Sequence, residues 1–206
     1  MSCRWRSPAG DGLLAVRSSR PRLYAAVPVT AAFLSLLLVI SNAWIPLKAE
    51  LAQFLLERSW RHSLAGGTPR PPWPWSDTTV AAELSAPVHD LRLLVLRGNN
   101  GRNLAFGPVL ADGTAGGPDI VINGHRDTHF RFLRTLEPGD LLLLTDRSGS
   151  RWYAVGDREV VDSRSHELVV DGTTERLSLV TCYPFDSPFT GGPLRYVVTA
   201  YPRSGA

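Results

Sequence analysis

Cysteine is nearly absent from this sequence of 206 residues, which contains only Cys3 and Cys182. Two thiols are too few for a thiolate-rich zinc site. Lys48 is the only lysine, every other basic side chain being arginine. That bias matches a GC-rich genome, and no mechanism is read into it. No segment repeats another. Nor does either sign of charge prevail outside the amino-terminal tail. Arg4, Arg6, Arg17, Arg20 and Arg22 precede the first apolar run with only Asp11 opposing them, so the remainder carries 17 basic and 18 acidic residues. The formal net of +3 therefore belongs to the tail, which argues against a nucleic-acid-binding body. With 44% hydrophobic and 20% charged residues, the composition excludes a disordered chain and suits one globular domain with an appendage.

The appendage is legible. No charged residue occurs from Leu23 to Leu47, and the centre of that run, Ala31 to Ile40, is strongly apolar. A helix needs about 20 such residues to cross a hydrocarbon core. Arginines before the run and Glu50 after it orient the amino terminus toward the cytoplasm, with Trp44 where an interfacial aromatic is expected. The competing reading is a cleaved signal peptide, with Ser41-Asn42-Ala43 as the cleavage site. Secretory apolar regions run to about 7–15 residues, so the length favours an anchor. We therefore expect a cytoplasmic tail over 1–22 and a transmembrane helix over 23–47. On either reading everything that follows is exported. Cys3 and Cys182 then lie on opposite sides of a membrane and cannot pair. A lone exported thiol is either a small buried hydrophobe or a reactive group, and position alone leaves both open.

Residues 48–76 read as a short helix and a linker. Leu51, Phe54, Leu55 and Arg58 share a helical stripe, and Gly66 to Trp75 is rich in Gly, Pro and Trp, which breaks regular structure. The tryptophans of that stretch offer alternatives, docking on the domain or resting at the membrane interface. The folded domain is expected over 77–203. Within it, strands are predicted over 80–84, 91–96, 119–123, 141–145, 152–161, 176–182 and 194–200, with Asp146 to Ser150 as a hairpin loop. Only 129–136 reads as locally helical. Many short strands punctuated by turns indicate an all-β barrel or sandwich.

Three segments carry chemistry. Asn123-Gly124-His125-Arg126-Asp127 follows a strand, Thr181-Cys182-Tyr183-Pro184 ends another, and Arg195 opens the last. A residue at a strand end before a proline-containing loop is rigidly held yet presented to solvent, as a nucleophile requires. Cys, His and Arg form a working acyl-transfer set: thiolate attacks a carbonyl, imidazolium protonates the departing amine, and guanidinium donates to the developing oxyanion.

These segments resemble the sortase family. The likeness rests on Gly124-His125-Arg126-Asp127-Thr128-His129-Phe130-Arg131-Phe132-Leu133, Gly139-Asp140, Leu177-Ser178-Leu179-Val180-Thr181-Cys182-Tyr183-Pro184-Phe185 and Gly192-Pro193-Leu194-Arg195-Tyr196. It is specifically to class D-like sortases of Gram-negative bacteria, including the marine proteobacterial group. The resemblance implies an eight-stranded barrel with short helices, preceded by the transmembrane helix, in a bacterial inner membrane with the catalytic domain outside the cytoplasm. It implies recognition of a Leu-Pro-x-Thr-Gly-like sorting signal on a partner protein, and a thioacyl-enzyme on Cys182 released to an amine acceptor that it does not identify. His125, Cys182 and Arg195 take the roles given above. No cofactor is implied.

Other residues have plainer readings. His129 follows His125 by four positions, but the intervening residues lack the glutamate of a zinc protease, so no metal is expected. Arg126 reads as a support for its loop rather than an oxyanion donor. Asp127 orients an arginine or caps the following turn. His62, His89 and His166 are expected to be solvated. Two rival functions are an exported cysteine hydrolase and a non-catalytic, membrane-tethered binding module. A papain-like hydrolase would place His after Cys and the nucleophile on a helix, the reverse of what is seen.

Overall fold

A computed structural model describes residues 21–98, 100–114, 116–165, 170, 172–188 and 191–203. The chain divides into two compact units, Met1–Leu47 and Lys48–Ala206. One helix, α1 (Pro21–Leu64), contributes to both and contains Pro28 and Pro46. Among the described residues no helix is long and apolar enough to cross a membrane. The tail over 1–20 lies outside the described residues. So do the side chains of positions 23–27, 40, 42, 43 and 45 within the expected anchor.

The second unit is a closed eight-stranded barrel. Its strands are β1 (Val80–Ala86), β2 (Leu91–Leu96), β3 (Val109–Leu110), β4 (Asp119–Asn123), β5 (Leu141–Asp146), β6 (Gly149–Asp162), β7 (Arg176–Cys182) and β8 (Leu194–Pro202). They close in the order β1-β2-β3-β4-β7-β8-β6-β5. Alternation drives the closure. Along β1 every second residue, Val80, Ala82, Leu84 and Ala86, is buried. Leu84, Ile122, Leu142, Tyr153, Leu177, Leu179 and Val198 meet in one interior cluster, which a closed sheet shields without leaving an edge. Phe130 and Leu133 plug it from the turn after β4. That region, read as helical over 129–136, forms a shorter 3-10 turn over Arg131–Arg134.

Residues 48–76 pack on the barrel. The face of α1 that does so is not the Leu51, Phe54, Leu55 stripe, since Leu51 and Phe54 are exposed. Ala52, Leu56, Ser59, Trp60 and Ser63 are buried instead, and their small members let the helix lie close. Leu56 and Trp60 join Val80, Leu94, Leu96 and Val109 in a second cluster. The Trp60 indole donates to Glu83 at 3.1 Å, Ser59 donates to the Arg70 carbonyl at 2.6 Å, and Trp73 meets Phe106 edge-on at 5.2 Å.

Candidate active site

The site grows from a parallel pair of strands. β4 and β7 run side by side with Asn123 opposite Val180, so both chains leave the barrel at the same rim. There Gly124 donates its N–H to the Val180 carbonyl at 3.0 Å, and the Thr181 hydroxyl donates to the Gly124 carbonyl at 2.8 Å. The residue before His125 is thus tied to the two residues before Cys182. Glycine is required at 124 by close approach: a Cβ there would lie 2.6 Å from the ring of the fully buried Phe130.

Successive strand residues face opposite sides. Thr181 is buried, so Cys182 turns outward, where it is half-buried. Across the antiparallel β7–β8 pair its partner is Arg195. The Tyr183 N–H donates to the Leu194 carbonyl at 3.1 Å, which makes Cys182 and Arg195 a non-hydrogen-bonded pair. Such pairs place Cα atoms about 4.5 Å apart with side chains close together on one face. One Nη of Arg195 donates to the carbonyls of Gly192 (2.6 Å) and Leu194 (2.9 Å). Its other N–H groups take no partner among the described residues and are free to meet a ligand oxygen. His125 is exposed at the head of its turn. All three residues singled out from the sequence therefore converge on one rim: Cys182 and Arg195 by register, His125 by the Gly124 ties.

The neighbours divide into holders and walls. Arg126 is bound by Asp127, whose carboxyl is held below its usual range by that guanidinium, with smaller contributions from His125 and Arg131. His129 is pushed down chiefly by burial and secondarily by the charge of His125, while a hydrogen bond to the Ala105 backbone opposes the shift. Among the described residues no three His, Cys, Asp or Glu side chains are placed to hold a metal ion. His89, expected to be solvated, is instead half-buried against the Phe132 ring at 5.7 Å. His166 lies outside the described residues.

Sequence reasoning missed two features. Tyr183, Phe185 and Tyr196 form an aromatic cluster beside the nucleophile, with Phe185 edge-on to Tyr196 at 5.2 Å. On the outer face of β4, β7 and β8 lies a groove of about 260 Å³, walled by Val121, Val161, Val180 and Val197 and reaching Arg195. The signal was available. Val180 and Val197 sit two positions from Cys182 and Arg195, so all four share the outward face.

A closed barrel with an outward cysteine paired to an arginine, and a histidine turn bound to the same strand, defines a narrow class of proteins. A family model described as the Sortase domain matches residues 84–203. Sortase D of Bacillus subtilis (strain 168) is 39% identical over 80 residues, covering 38% of this chain and 40% of that protein. Sortase A of Listeria monocytogenes serovar 1/2a is 28% identical over 109 residues, covering 50% of this chain and 49% of that protein. The crystal structure of Listeria monocytogenes sortase A matches with a TM-score of 0.54 at 24% identity, over 61% of this chain and 88% of that one, a likeness of fold. This chain belongs to the sortase family, and the match to Sortase D agrees with its class D-like motifs. It spans less than half the length of the two curated relatives, 40% and 49%.

Proposed function

We propose that this protein is a cysteine transpeptidase that cleaves a Leu-Pro-x-Thr-Gly-like sorting signal and transfers the product to an amine. The observation that carries the reading is the placement of Cys182 beside Arg195 on one outward face, with the His125 turn tied to the same strand. The Cys182 thiolate adds to the carbonyl carbon of the threonine, and the electron pair of the C=O bond moves to oxygen. The free N–H groups of Arg195 stabilise that oxyanion. Collapse breaks the C–N bond, and the His125 imidazolium gives its proton to the departing glycine amine, leaving a thioester on Cys182. An acceptor amine then attacks the thioester, neutral His125 removes its proton, and the thiolate returns. The apolar groove walled by Val121, Val161, Val180 and Val197 suits the leucine and proline of such a signal.

The uncharged run over 23–47 supports a second part of the reading, tethering to the bacterial inner membrane with the barrel on the extracytoplasmic side. Retention in the membrane fraction after a high-salt wash is expected. A soluble mature chain beginning at Trp44 would overturn the tether.

The central test incubates the protein with Leu-Pro-x-Thr-Gly peptides and an amine, read by mass spectrometry. Cleavage after threonine and an amide product support transfer. A free acid alone, whatever the amine concentration, favours a hydrolase. Inert peptides together with a Cys182 that resists alkylation favour a binding module.

A further inference from the structure

We propose that Arg126 is a positioning residue that locks the His125 turn and the segment after Cys182 into one unit; the inference rests on the transfer reaction proposed above. The side chain of Arg126 is only 5% exposed, although its neighbours His125 and Asp127 are exposed. All three of its nitrogens are engaged. Nε and Nη2 grip the two carboxylate oxygens of Asp127 at 2.8 and 3.1 Å. Nη1 donates to the Pro184 carbonyl at 2.6 Å, and Nη2 donates to the Ser187 carbonyl at 2.9 Å.

Those carbonyls stand 58 and 61 positions away in sequence. They belong to the loop that begins directly after Cys182, whereas Arg126 directly follows His125. One side chain therefore spans the two segments whose separation sets the thiol-to-imidazole geometry. Arginine fits this use because its planar fork donates in three fixed directions at once, whereas an ammonium is a mobile point charge. A buried cation is also costly unless its donors find acceptors, and here four of the five N–H groups do, the acceptors coming from both loops. Misplacement by about 1 Å of groups that must meet in a transition state can cost about 10²-fold in rate. The same guanidinium interacts electrostatically with Cys182. Asp127 and Asp186 interact with the same guanidinium, His125 with Asp127, and Arg195 is the register partner of Cys182, with Tyr183 and Tyr196 in the adjoining cluster.

The experiment uses the full chain carrying Cys3→Ala, so that Cys182 is the only thiol. Arg126→Lys and Arg126→Gln are compared with their parent in three measurements: the unfolding midpoint, the pH profile of Cys182 alkylation by iodoacetamide, and kcat and KM for a Leu-Pro-x-Thr-Gly peptide with an amine. A positioning role predicts a folded Arg126→Lys whose kcat is down about 100-fold. Its KM should change less than about threefold, the split that separates lost transition-state geometry from lost binding. In Arg126→Gln the alkylation profile should also move to higher pH. Either variant, folded, with the parental kcat and alkylation profile would overturn the proposal. If both fail to fold, Asp127→Asn carries the test, since it keeps the guanidinium but weakens its grip: lower kcat at unchanged KM supports the clasp, and parental kcat refutes it. Should the parent turn over no peptide, the transfer reading falls on its own, and the alkylation profile alone decides: unchanged in a folded Arg126→Gln, it refutes the clasp.

Discussion

Two arginines flank Cys182, one on the His125 turn and one at the start of β8, and they are held in opposite ways. Arg126 is buried and neutralised by Asp127, and with two carbonyls of the neighbouring loop four of its five N–H groups are met. Arg195 is half-exposed, pairs with no carboxylate among the described residues, and is steadied through one Nη by two carbonyls near its own position. A guanidinium so largely engaged within the protein has little left for a substrate. One with donors to spare, on the same face as a thiol, has a vacancy of the shape an oxyanion fills. The contrast suits the first to support and, under the transfer reaction proposed above, the second to transition-state contact.

The comparison breaks most sharply at the residue between the two arginines. Cys182→Ala should abolish both cleavage and transfer while leaving the unfolding midpoint near its parental value, whereas Cys3→Ala should change neither. Turnover by a folded Cys182→Ala protein at a parental rate would remove the thiol from the mechanism. Next in size is Arg195. Removing one oxyanion donor typically costs about 10²–10³ in turnover, or about 2.7–4 kcal/mol. Arg195→Lys should be nearly as damaging as Arg195→Ala, because the fork rather than the charge is used. A lysine variant that keeps more than about a third of the parental kcat, a loss under ~1 kcal/mol, would make Arg195 a plain charge and undo the contrast with Arg126.

A smaller effect is expected on stability at the base of the His125 turn. Gly124→Ala brings a methyl against the Phe130 ring in the filled end of the barrel, and overpacking of that kind costs about 1–3 kcal/mol, readable as a lower denaturant midpoint. The smallest concerns pH. Burial holds His129 below its usual range in the folded protein. The unfolded chain therefore binds that proton more readily, near pH ~6.5, so stability should decline as pH falls from there through the lower folded value. His129→Gln should flatten that part of the profile; an unaltered slope would place its origin elsewhere.

The barrel was readable because most strands announce themselves by alternation. β2, β4 and β7 have the boundaries expected of them, and β6 and β8 differ mainly in running further. What stayed hidden lacks a period. β3 is two residues long inside a glycine-rich stretch, too short for any alternation, and it exists because Val109 pairs with both Leu96 and Asn123. The docking of 48–76 was obscured for a different reason. The larger apolar side chains Leu51 and Phe54 suggested one face of α1, but Ala52, Leu56 and Trp60, flanked by serines, form the face that fits the barrel. Residue types marked Cys182, His125 and Arg195 as a set. Their shared rim depends on the β4–β7 pairing and the β7–β8 register, which are tertiary facts. The Arg126 bridge is hidden in the same way, since a carbonyl about sixty positions away leaves no trace in local pattern.

The parallel pairing of β4 with β7 also has a consequence in time. Gly124 and Thr181, whose hydrogen bond closes the site, are 57 positions apart, and nothing local brings them together. Contacts of such sequence separation form late and slowly, because the entropy of closing a long loop must be lost before any pairing repays it. Until the barrel closes, nothing holds Cys182 beside Arg195 or the His125 turn. Under the proposed reaction, therefore, catalysis has to wait for these distant contacts, and a chain that lacks them lacks the arrangement that the transfer needs.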